Sequence, residues 1–221
     1  MITITKKLRA LLESIFPNYT KEIEYAVSDC KTLLDVGCGT NSPVQFLQKN
    51  IHKTGVDIWQ PSLEISKSKD IHDEYIQGDI LKLSENFKPR SFECLIASEL
   101  IEHLEKDDGF ELLRQLEKVA SKRVVITTPQ GFLPQGEYGD NPWQFHRSGW
   151  DVSEMRNRGY KVIGFNGAKF VWNIKFLWRK RENAFILTRI LRKMLVVLTQ
   201  LYTRNHPEHA FQMLCVKEIQ H

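Results

Sequence analysis

The sequence has 221 residues and a mass of 25.8 kDa, which suits a single domain of ordinary size. Hydrophobic residues make up 42% and charged residues 26% of the chain, so a chain disordered throughout and a collagen-like repeat are excluded. The apolar runs are too short to span a bilayer as a helix, and residues 1–7 lack the order of a secretory signal. The four cysteines form no CxxC pair, which disfavours a disulfide framework or a thiolate zinc site and indicates a cytoplasmic protein.

The formal net charge of +4 hides one strongly basic segment. Residues 175–204 hold eight Lys and Arg side chains and one Glu, a net charge of +7, while the rest of the chain sums to −3. This distribution does not indicate a general nucleic-acid coat; it indicates one basic segment.

Apolar periodicity predicts the secondary structure in chain order. Two short helices come first, over 4–15 and 19–29. Strands are then predicted over 32–36, 52–58, 75–77, 92–97 and 123–127, with helices over 43–50, 62–68 and 110–120 between them. Ser42 is a suitable N-cap and Pro43 a suitable first residue for the helix over 43–50. Strands and helices that alternate in this way predict a mostly parallel sheet with helices on both faces, which binds ligands beyond the carboxyl ends of its strands.

A turn with two glycines, Gly37 and Gly39, follows the first strand and would let the backbone approach a ligand closely. A dinucleotide fingerprint would place a third glycine where the chain has Ser42, so binding of NAD is disfavoured. Asp57 closes the second strand, where a carboxylate can accept both hydroxyls of a ribose. Asp79 follows the third strand and offers a carboxylate near an adenine amino group.

The runs Leu34–Thr40, Gly55–Asp57 and Gly78–Ile80 resemble motifs of the class I S-adenosylmethionine-dependent methyltransferases. The resemblance covers roughly residues 30–166 and the last strand. It implies an α/β fold, with a Rossmann-like, seven-stranded and mostly parallel sheet whose final hairpin is reversed.

The same resemblance implies S-adenosylmethionine as the cofactor, with Asp35 near its methionine amino group and Gly37 and Gly39 beneath it. Asp57 would then bind the ribose, and Asp79 would lie at the adenine. The full set of expected cofactor contacts lies in the loops after the first four strands: Asp35, Gly37, Cys38, Gly39, Thr40, Asp57, Ile58, Asp79, Ile80, Ser98 and Glu99.

A group of acids and a histidine follows the fourth strand. If this turn is helical, Glu99, Glu102 and His103 lie at i, i+3 and i+4 on one face. Such a group suits a metal ion or a general base held by a carboxylate. The alternative is a solvated helix start whose acids are favoured by the helix dipole.

This turn resembles that of the ubiquinone-pathway O-methyltransferases. It also resembles that of the small-RNA 2′-O-methyltransferases, whose Glu-x-x-Glu-His motif binds a divalent ion together with a later histidine. His146 is the candidate for that later histidine, so the expected ligands of Mg²⁺, Mn²⁺ or Zn²⁺ are Glu99, Glu102, His103 and His146. The RNA enzymes carry a second consecutive histidine, where this chain has Leu104.

Many related small-molecule methyltransferases use the Glu-His pair only beside the cofactor, so a site without a metal remains an alternative. The catalytic base would be His103 or His146, because an imidazole titrates near neutral pH. Without a metal, the two carboxylates are expected to raise the pKa of His103.

Residues 128–149 form a long connection rich in proline, glycine and aromatic residues. Phe132, Tyr138, Trp143 and Phe145 favour an ordered lid over a substrate pocket, and a surface excursion is the alternative. A further helix is predicted from Ser148 to Arg158.

Between the predicted sixth strand (160–165) and seventh strand (210–216) lies a basic amphipathic segment. Its helix, over 185–202, has one apolar stripe: Leu187, Ile190, Leu191, Met194, Leu195, Leu198, Leu201 and Tyr202. We expect this stripe to pack on the domain itself. Contact of residues 172–204 with a membrane is the second interpretation and contact with RNA the third.

The predicted organisation is one methyltransferase domain over 1–221, with N-terminal helices over 1–30, a core over 31–167 and 206–221, and an inserted segment over 168–205. The predicted activity is O-methylation of a small-molecule or lipid-linked acceptor, in the cytoplasm or at the membrane periphery. The alternatives are an RNA methyltransferase with a divalent-metal site and a cofactor-binding scaffold without catalysis.

Overall fold

The computed structural model describes residues 19–47, 50–136, 141–173 and 185–220. The predicted helix over 4–15 and the predicted lid residue Tyr138 lie outside the described residues.

In the described part of the chain, seven strands form one sheet in the order β3-β2-β1-β4-β5-β7-β6. They are β1 Thr32–Val36, β2 His52–Asp57, β3 Glu74–Gln77, β4 Phe92–Ser98, β5 Ala120–Pro129, β6 Lys161–Ala168 and β7 Ala210–Glu218. Strands β1 to β5 are parallel, and β7 runs antiparallel between β5 and β6. The prediction of a Rossmann-like sheet with a reversed final hairpin is confirmed.

The described helices cover both faces of the sheet. They are α1 Tyr19–Val27, α2 Gln60–Ser68, α3 Leu83–Asn86, α4 Lys106–Val119, α5 Val152–Asn157, α6 Lys169–Asn173 and α7 Phe185–Thr203. Short 3₁₀ helices add Pro43–Phe46, Ile80–Lys82, Ile101–His103 and Pro207–His209. Because neighbouring strand residues face opposite ways, Leu33 packs in the cluster that contains α1, and Leu34 packs in the cluster that contains α4.

The register of the parallel strands places the expected site residues at one edge. Val36 of β1 pairs with Val56 of β2, so the glycine turn begins directly beside Asp57. The order of β1 between β2 and β4 makes the gap beyond β1 a switch point, where sheets of this kind bind ligands.

Three predicted helices differ in the structure, and the one predicted from Ser148 begins at Val152 instead. Ser42 does cap the turn that begins at Pro43, and its hydroxyl accepts a hydrogen bond from the Val44 amide. This turn is a 3₁₀ helix that ends at Phe46. Helix α4 begins at Lys106, four residues before the predicted start, and Asp107 and Asp108 in its first turn favour that start through the helix dipole.

Helix α7 packs on β6 mainly through a polar face. Leu195 of the predicted stripe does pack against Ala168 and Val171, but most of the described stripe is exposed, so the predicted packing of the whole stripe is wrong. The side chain of Gln200 accepts a hydrogen bond from the Gly167 amide at 2.9 Å and donates one to the Gly164 carbonyl at 2.9 Å. Thr199 Oγ1 accepts one from the Ala168 amide at 3.0 Å. The cause is an irregularity in β6 between Phe165 and Ala168, which leaves backbone groups that need polar partners.

No helix within the described ranges is long and apolar enough to cross a membrane.

Candidate cofactor and metal site

The glycine turn after β1 has the backbone conformation that glycine favours. Gly37 has a φ of +66° and Gly39 a φ of +56°. A Cβ at Gly37 would lie 2.5 Å from Leu100 Cδ1. A Cβ at Gly39 would meet only the Gly37 carbonyl, at 4.0 Å, so the space beside Gly39 is open for a ligand.

Asp57 holds this turn in place with both carboxylate oxygens. Its Oδ2 accepts a hydrogen bond from the Gly39 amide at 2.8 Å, and its Oδ1 accepts one from the Trp59 amide at 2.8 Å. Burial raises the pKa of Asp57. Each carboxylate oxygen can accept a second hydrogen bond, so the side chain can still bind the hydroxyls of a ribose.

Two cavities, of about 410 and about 250 Å³, flank the glycine turn. Both are bordered by Gly37, Gly39 and Glu99. The expected cofactor contacts all border one or the other: Asp35, Cys38, Thr40 and Ser98 the first, and Asp57, Ile58, Asp79 and Ile80 the second. The residues around Gly37 therefore fit a ligand as extended as S-adenosylmethionine, and the contact of Asp57 with its ribose stays a prediction.

Sequence reasoning missed two residues near the first cavity: Tyr19, which borders it, and His72, which contacts Asp35 at its border. His72 Nε2 lies 2.7 Å from the carboxylate of Asp35, and both side chains are buried. The Tyr19 hydroxyl bonds to Ser98 and, at 3.2 Å, to Thr127, and burial raises its pKa to about 12. Neither residue lies in a motif, so only the folded chain brings them to the site.

The turn after β4 differs from the predicted helical start. Glu99 has a φ of +49°, and the 3₁₀ helix Ile101–His103 follows it. The side chains of Glu99 and Glu102 are therefore held separately. Glu99 accepts a hydrogen bond from Gln212, and Glu102 Oε2 accepts one from Thr128 at 3.0 Å.

The second carboxylate oxygens of these two acids lack hydrogen-bond partners. Glu99 Oε1 and Glu102 Oε1 are the buried side-chain polar atoms without a partner among the described residues. An unpaired buried oxygen is unfavourable unless a proton or a cation reaches it.

Potential ligand atoms of Glu102, His103 and His146 all lie within 4.8 Å of one another, whereas Glu99 lies outside this group. The two imidazole rings are 4.7 Å apart between centroids. His103 Nδ1 lies 3.3 Å from the Phe145 carbonyl and His146 Nδ1 lies 2.6 Å from the Leu133 carbonyl. If each Nδ1 donates to its carbonyl, each Nε2 keeps a lone pair for a metal, as second-shell contacts usually arrange.

Backbone hydrogen bonds bring His146 to the turn after β4. The amides of Arg147 and Ser148 donate to the Glu102 carbonyl at 2.8 and 3.1 Å. Just before His146 in the chain, Trp143 and Gln144 border the second cavity. The interpretation of residues 128–149 as a substrate lid stays a prediction.

Burial controls the charges of this group. It raises the pKa of Glu99 to about 7 and, together with the charge of Glu99, raises the pKa of Glu102 well above its usual range. Burial and the neighbouring His146 lower the pKa of His103 to about 4. The expected rise of the His103 pKa is therefore wrong, because loss of water around the ring and the neighbouring His146 outweigh the backbone hydrogen bonds that favour its charged form.

These donors fit a divalent cation. Neutral imidazoles and a carboxylate are suitable ligands, and the buried Oε1 of Glu102 would gain the partner that it lacks. The alternative of a solvated helix start does not match this burial, since Glu102 is only 2% exposed.

Comparison with known proteins agrees with the fold. A methyltransferase domain model matches residues 34–126. A small RNA 2′-O-methyltransferase from Tetrahymena thermophila is 28% identical in an alignment 177 residues long, which covers 63% of this chain and 41% of that protein. The chain therefore spans about two fifths of the length of that relative.

Two solved structures share the architecture at low sequence identity. A SAM-dependent methyltransferase from Archaeoglobus fulgidus has a TM-score of 0.56 at 15% identity, over 95% of this chain and 99% of that one. The methyltransferase domain of bacterial CtHen1-CN has a TM-score of 0.55 at 16% identity, over 91% and 97%.

The domain match covers less than half of the chain, and the solved structures share its architecture at low identity, so together they show a Rossmann-like methyltransferase fold. Binding of S-adenosylmethionine stays a prediction that this fold supports. Assignment to the ubiquinone-pathway group stays a prediction, because these matches do not select that group.

Proposed function

We propose that this chain is an O-methyltransferase that binds its acceptor hydroxyl through a divalent cation held by Glu102, His103 and His146. The observation that carries the proposal is the position of this group at the cofactor cavity. His103 borders the same cavity as Gly37 and Asp57, so an acceptor bound at the cation would lie beside the cofactor.

We further propose that the acceptor is the 2′-hydroxyl of a terminal ribose in RNA. The name of the Tetrahymena relative supports this substrate. The second consecutive histidine of the small-RNA enzymes is absent here, but His146 still reaches Glu102 and His103. A vicinal diol at the end of an RNA strand offers two oxygens, which are ligands that Mg²⁺ and Mn²⁺ prefer.

The two bound groups would supply the reactive chemistry. S-adenosylmethionine carries its methyl group on a positively charged sulfur, and a divalent cation lowers the pKa of a coordinated hydroxyl. The protein then has to hold the acceptor oxygen in line with the methyl group and to keep the site in one arrangement.

The side chains of the site suit that positioning role. Thr128 fixes one oxygen of Glu102, and backbone carbonyls fix the rings of His103 and His146. With a pKa of about 4, His103 is neutral at pH 7 but a weak base. We therefore assign His103 and His146 primarily as metal ligands, and general-base catalysis by either one is the alternative.

Methyl transfer to synthetic RNA tests the proposal. The purified chain is incubated with S-adenosylmethionine labelled in the methyl group and a short RNA that ends in a 3′ ribose. We expect label in the RNA, and the methylated end should resist periodate, which cleaves only free vicinal diols. The matched RNA with a terminal 2′-deoxynucleotide should take up no label.

The role of the cation is tested in the same assay. EDTA should abolish transfer and excess Mn²⁺ should restore it. His146→Ala and Glu102→Gln should each lower the rate about 100-fold, whereas the control His206→Ala, at an exposed histidine, should not. Full activity in EDTA would leave only the general-base alternative.

A small-molecule or lipid-linked hydroxyl acceptor is the second candidate, and the exposed apolar stripe of α7 favours it. Label that passes into the organic phase of a membrane extract, and not into RNA, would select this acceptor. Cofactor binding without transfer to RNA or extract would favour a non-catalytic scaffold.

A further inference from the structure

The outward face of α7 is apolar. Five side chains form one stripe along the helix, with exposed fractions of 40%, 55%, 59%, 52% and 52%: Leu191, Met194, Leu198, Leu201 and Tyr202. Their spacing places them within one side of the helix, and the stripe runs for about 16 Å along its axis. Exposed apolar patches of this kind usually mark an interaction surface.

The helix cannot turn this stripe inward without losing specific contacts. Gln200 and Thr199 satisfy three backbone groups of β6, and the side chain of Thr203 is fully buried. A Cβ at Gly164 would lie 2.2 Å from the Thr203 carbonyl, so the helix and strand are in close contact. The outward direction of the stripe is therefore fixed by the packing of the polar face.

The charge of α7 indicates the kind of surface that would cover the stripe. The helix contains Arg189, Arg192 and Lys193 and no acid, and Lys193 is exposed next to Met194. Residues 175–181 add four more basic side chains in the sequence just before the helix. Helical spacing places the three basic residues of α7 on the other side of the helix from the stripe, and an apolar face opposite a basic one is typical of a helix that lies in the surface of an anionic bilayer.

We propose that α7 docks this stripe on an anionic lipid surface, with Leu191, Met194, Leu198 and Leu201 entering the boundary between headgroups and acyl chains. The contacts of α7 define its direction. Thr203 lies by Gly164 and Thr199 by Ala168, so the first half of the helix extends past the carboxyl end of β6. The cofactor cavity opens at the same edge of the sheet, so docking would hold its opening close to the lipid surface and alongside it.

This docking goes beyond the proposed function and does not depend on it. Vesicle binding needs neither S-adenosylmethionine nor a cation at Glu102. A Glu102→Gln variant should therefore lose methyl transfer and keep vesicle binding, so the two proposals can fail separately.

Co-sedimentation of the full chain with vesicles tests the docking. The vesicles contain phosphatidylcholine alone or with about one third phosphatidylglycerol, the anionic lipid that basic residues should favour. We expect binding to the anionic vesicles that weakens with added salt. The double variant Met194→Glu with Leu198→Glu should bind the anionic vesicles at least about tenfold more weakly, since it places charges on the apolar face.

The matched control is Ile65→Glu, because Ile65 is 45% exposed on α2 and lies outside the stripe. It should bind vesicles like the unchanged chain, and all variants should keep the same Tm. Absence of vesicle binding, or equal loss in the control, would overturn the proposal. A chain that binds no lipid but forms a dimer, with the dimer lost in Leu198→Glu, would assign the stripe to contact with a second copy. That result would also overturn the proposal.

Discussion

Asp57 illustrates how one side chain connects the backbone and the cofactor cavity. Its oxygens accept the amides of Gly39 and Trp59, and the side chain also borders the cavity. The sequence predicted the position of Asp57 at the strand end, because strand ends follow from periodicity. It could not predict the bond to Gly39, which depends on the left-handed turn.

Replacing Asp57 should weaken cofactor binding. Asp57→Ala leaves the Gly39 amide and the ribose hydroxyls without their acceptor, a loss of about 1.5–3 kcal/mol or about tenfold to over a hundredfold in affinity. Asp57→Asn keeps one acceptor oxygen and should lose less. Titration calorimetry with S-adenosylmethionine measures both, with Asp107→Ala at the first turn of α4 as control. Unchanged affinity in a folded Asp57→Ala protein would place the ribose elsewhere.

Glu99 should make the stability of the metal-free protein depend on pH. Its pKa of about 7 lies above the usual 4.5. The stability that protonated Glu99 contributes to the folded state is therefore full below pH 4.5 and is lost as pH rises through 7. The lowered pKa of His103 makes the free energy of unfolding rise with pH instead, but only below about pH 6.5. The clearest range is therefore pH 6.5 to 8.

Over that range we expect the free energy of unfolding to fall by about 1 kcal/mol more in the unchanged protein than in Glu99→Gln. Urea unfolding in EDTA at several pH values measures this difference. The exposed control Glu85→Gln should follow the unchanged protein. Parallel curves for the unchanged protein and Glu99→Gln would show that Glu99 is ionised throughout the range.

Helix α7 shows where sequence patterns stop being informative at the level of an element. The stripe from Leu191 to Tyr202 predicted a helix correctly. It did not predict the packing face, because the partner surface is the irregular backbone of β6 near Asn166 and Gly167. The backbone groups at that irregularity need hydrogen-bond partners, and this requirement outweighs the usual burial of an apolar stripe.

Removing Gln200 should destabilise this packing. Gln200→Ala leaves the Gly167 amide and the Gly164 carbonyl without partners, at about 1–3 kcal/mol for each buried group. The control Leu198→Ala, on the exposed side of the same helix, should change the free energy of unfolding by less than about 0.5 kcal/mol. Urea unfolding measures both, and the reverse order would mean that the stripe faces the core.

At the scale of the whole molecule, the fold could be predicted because strands and helices alternate regularly and the glycine motif fixes the position of β1. The convergence of His103 and His146 could be predicted only from a resemblance, since 42 residues separate them and a loop joins them. His72 and Tyr19 could not be placed at the site by spacing, because their contacts with Asp35 and Ser98 arise from tertiary packing.

The acceptor depends on that same tertiary arrangement. We expect the loop that carries His146 and the edge where α7 projects to decide which acceptor reaches the cofactor, and neither follows a motif. Charge alone would have suggested nucleic acid near residues 175–204, whereas the outward stripe of α7 adds an apolar surface there.

The central claim is that Glu102, His103 and His146 hold a divalent cation beside the cofactor. Crystals grown with Mn²⁺ and S-adenosylhomocysteine, measured for anomalous scattering, test it most directly. We predict one strong peak about 2.0–2.3 Å from a Glu102 oxygen and from Nε2 of both histidines, and its loss in His146→Ala. Bound S-adenosylhomocysteine with unmoved histidines and no anomalous peak between them would contradict the claim.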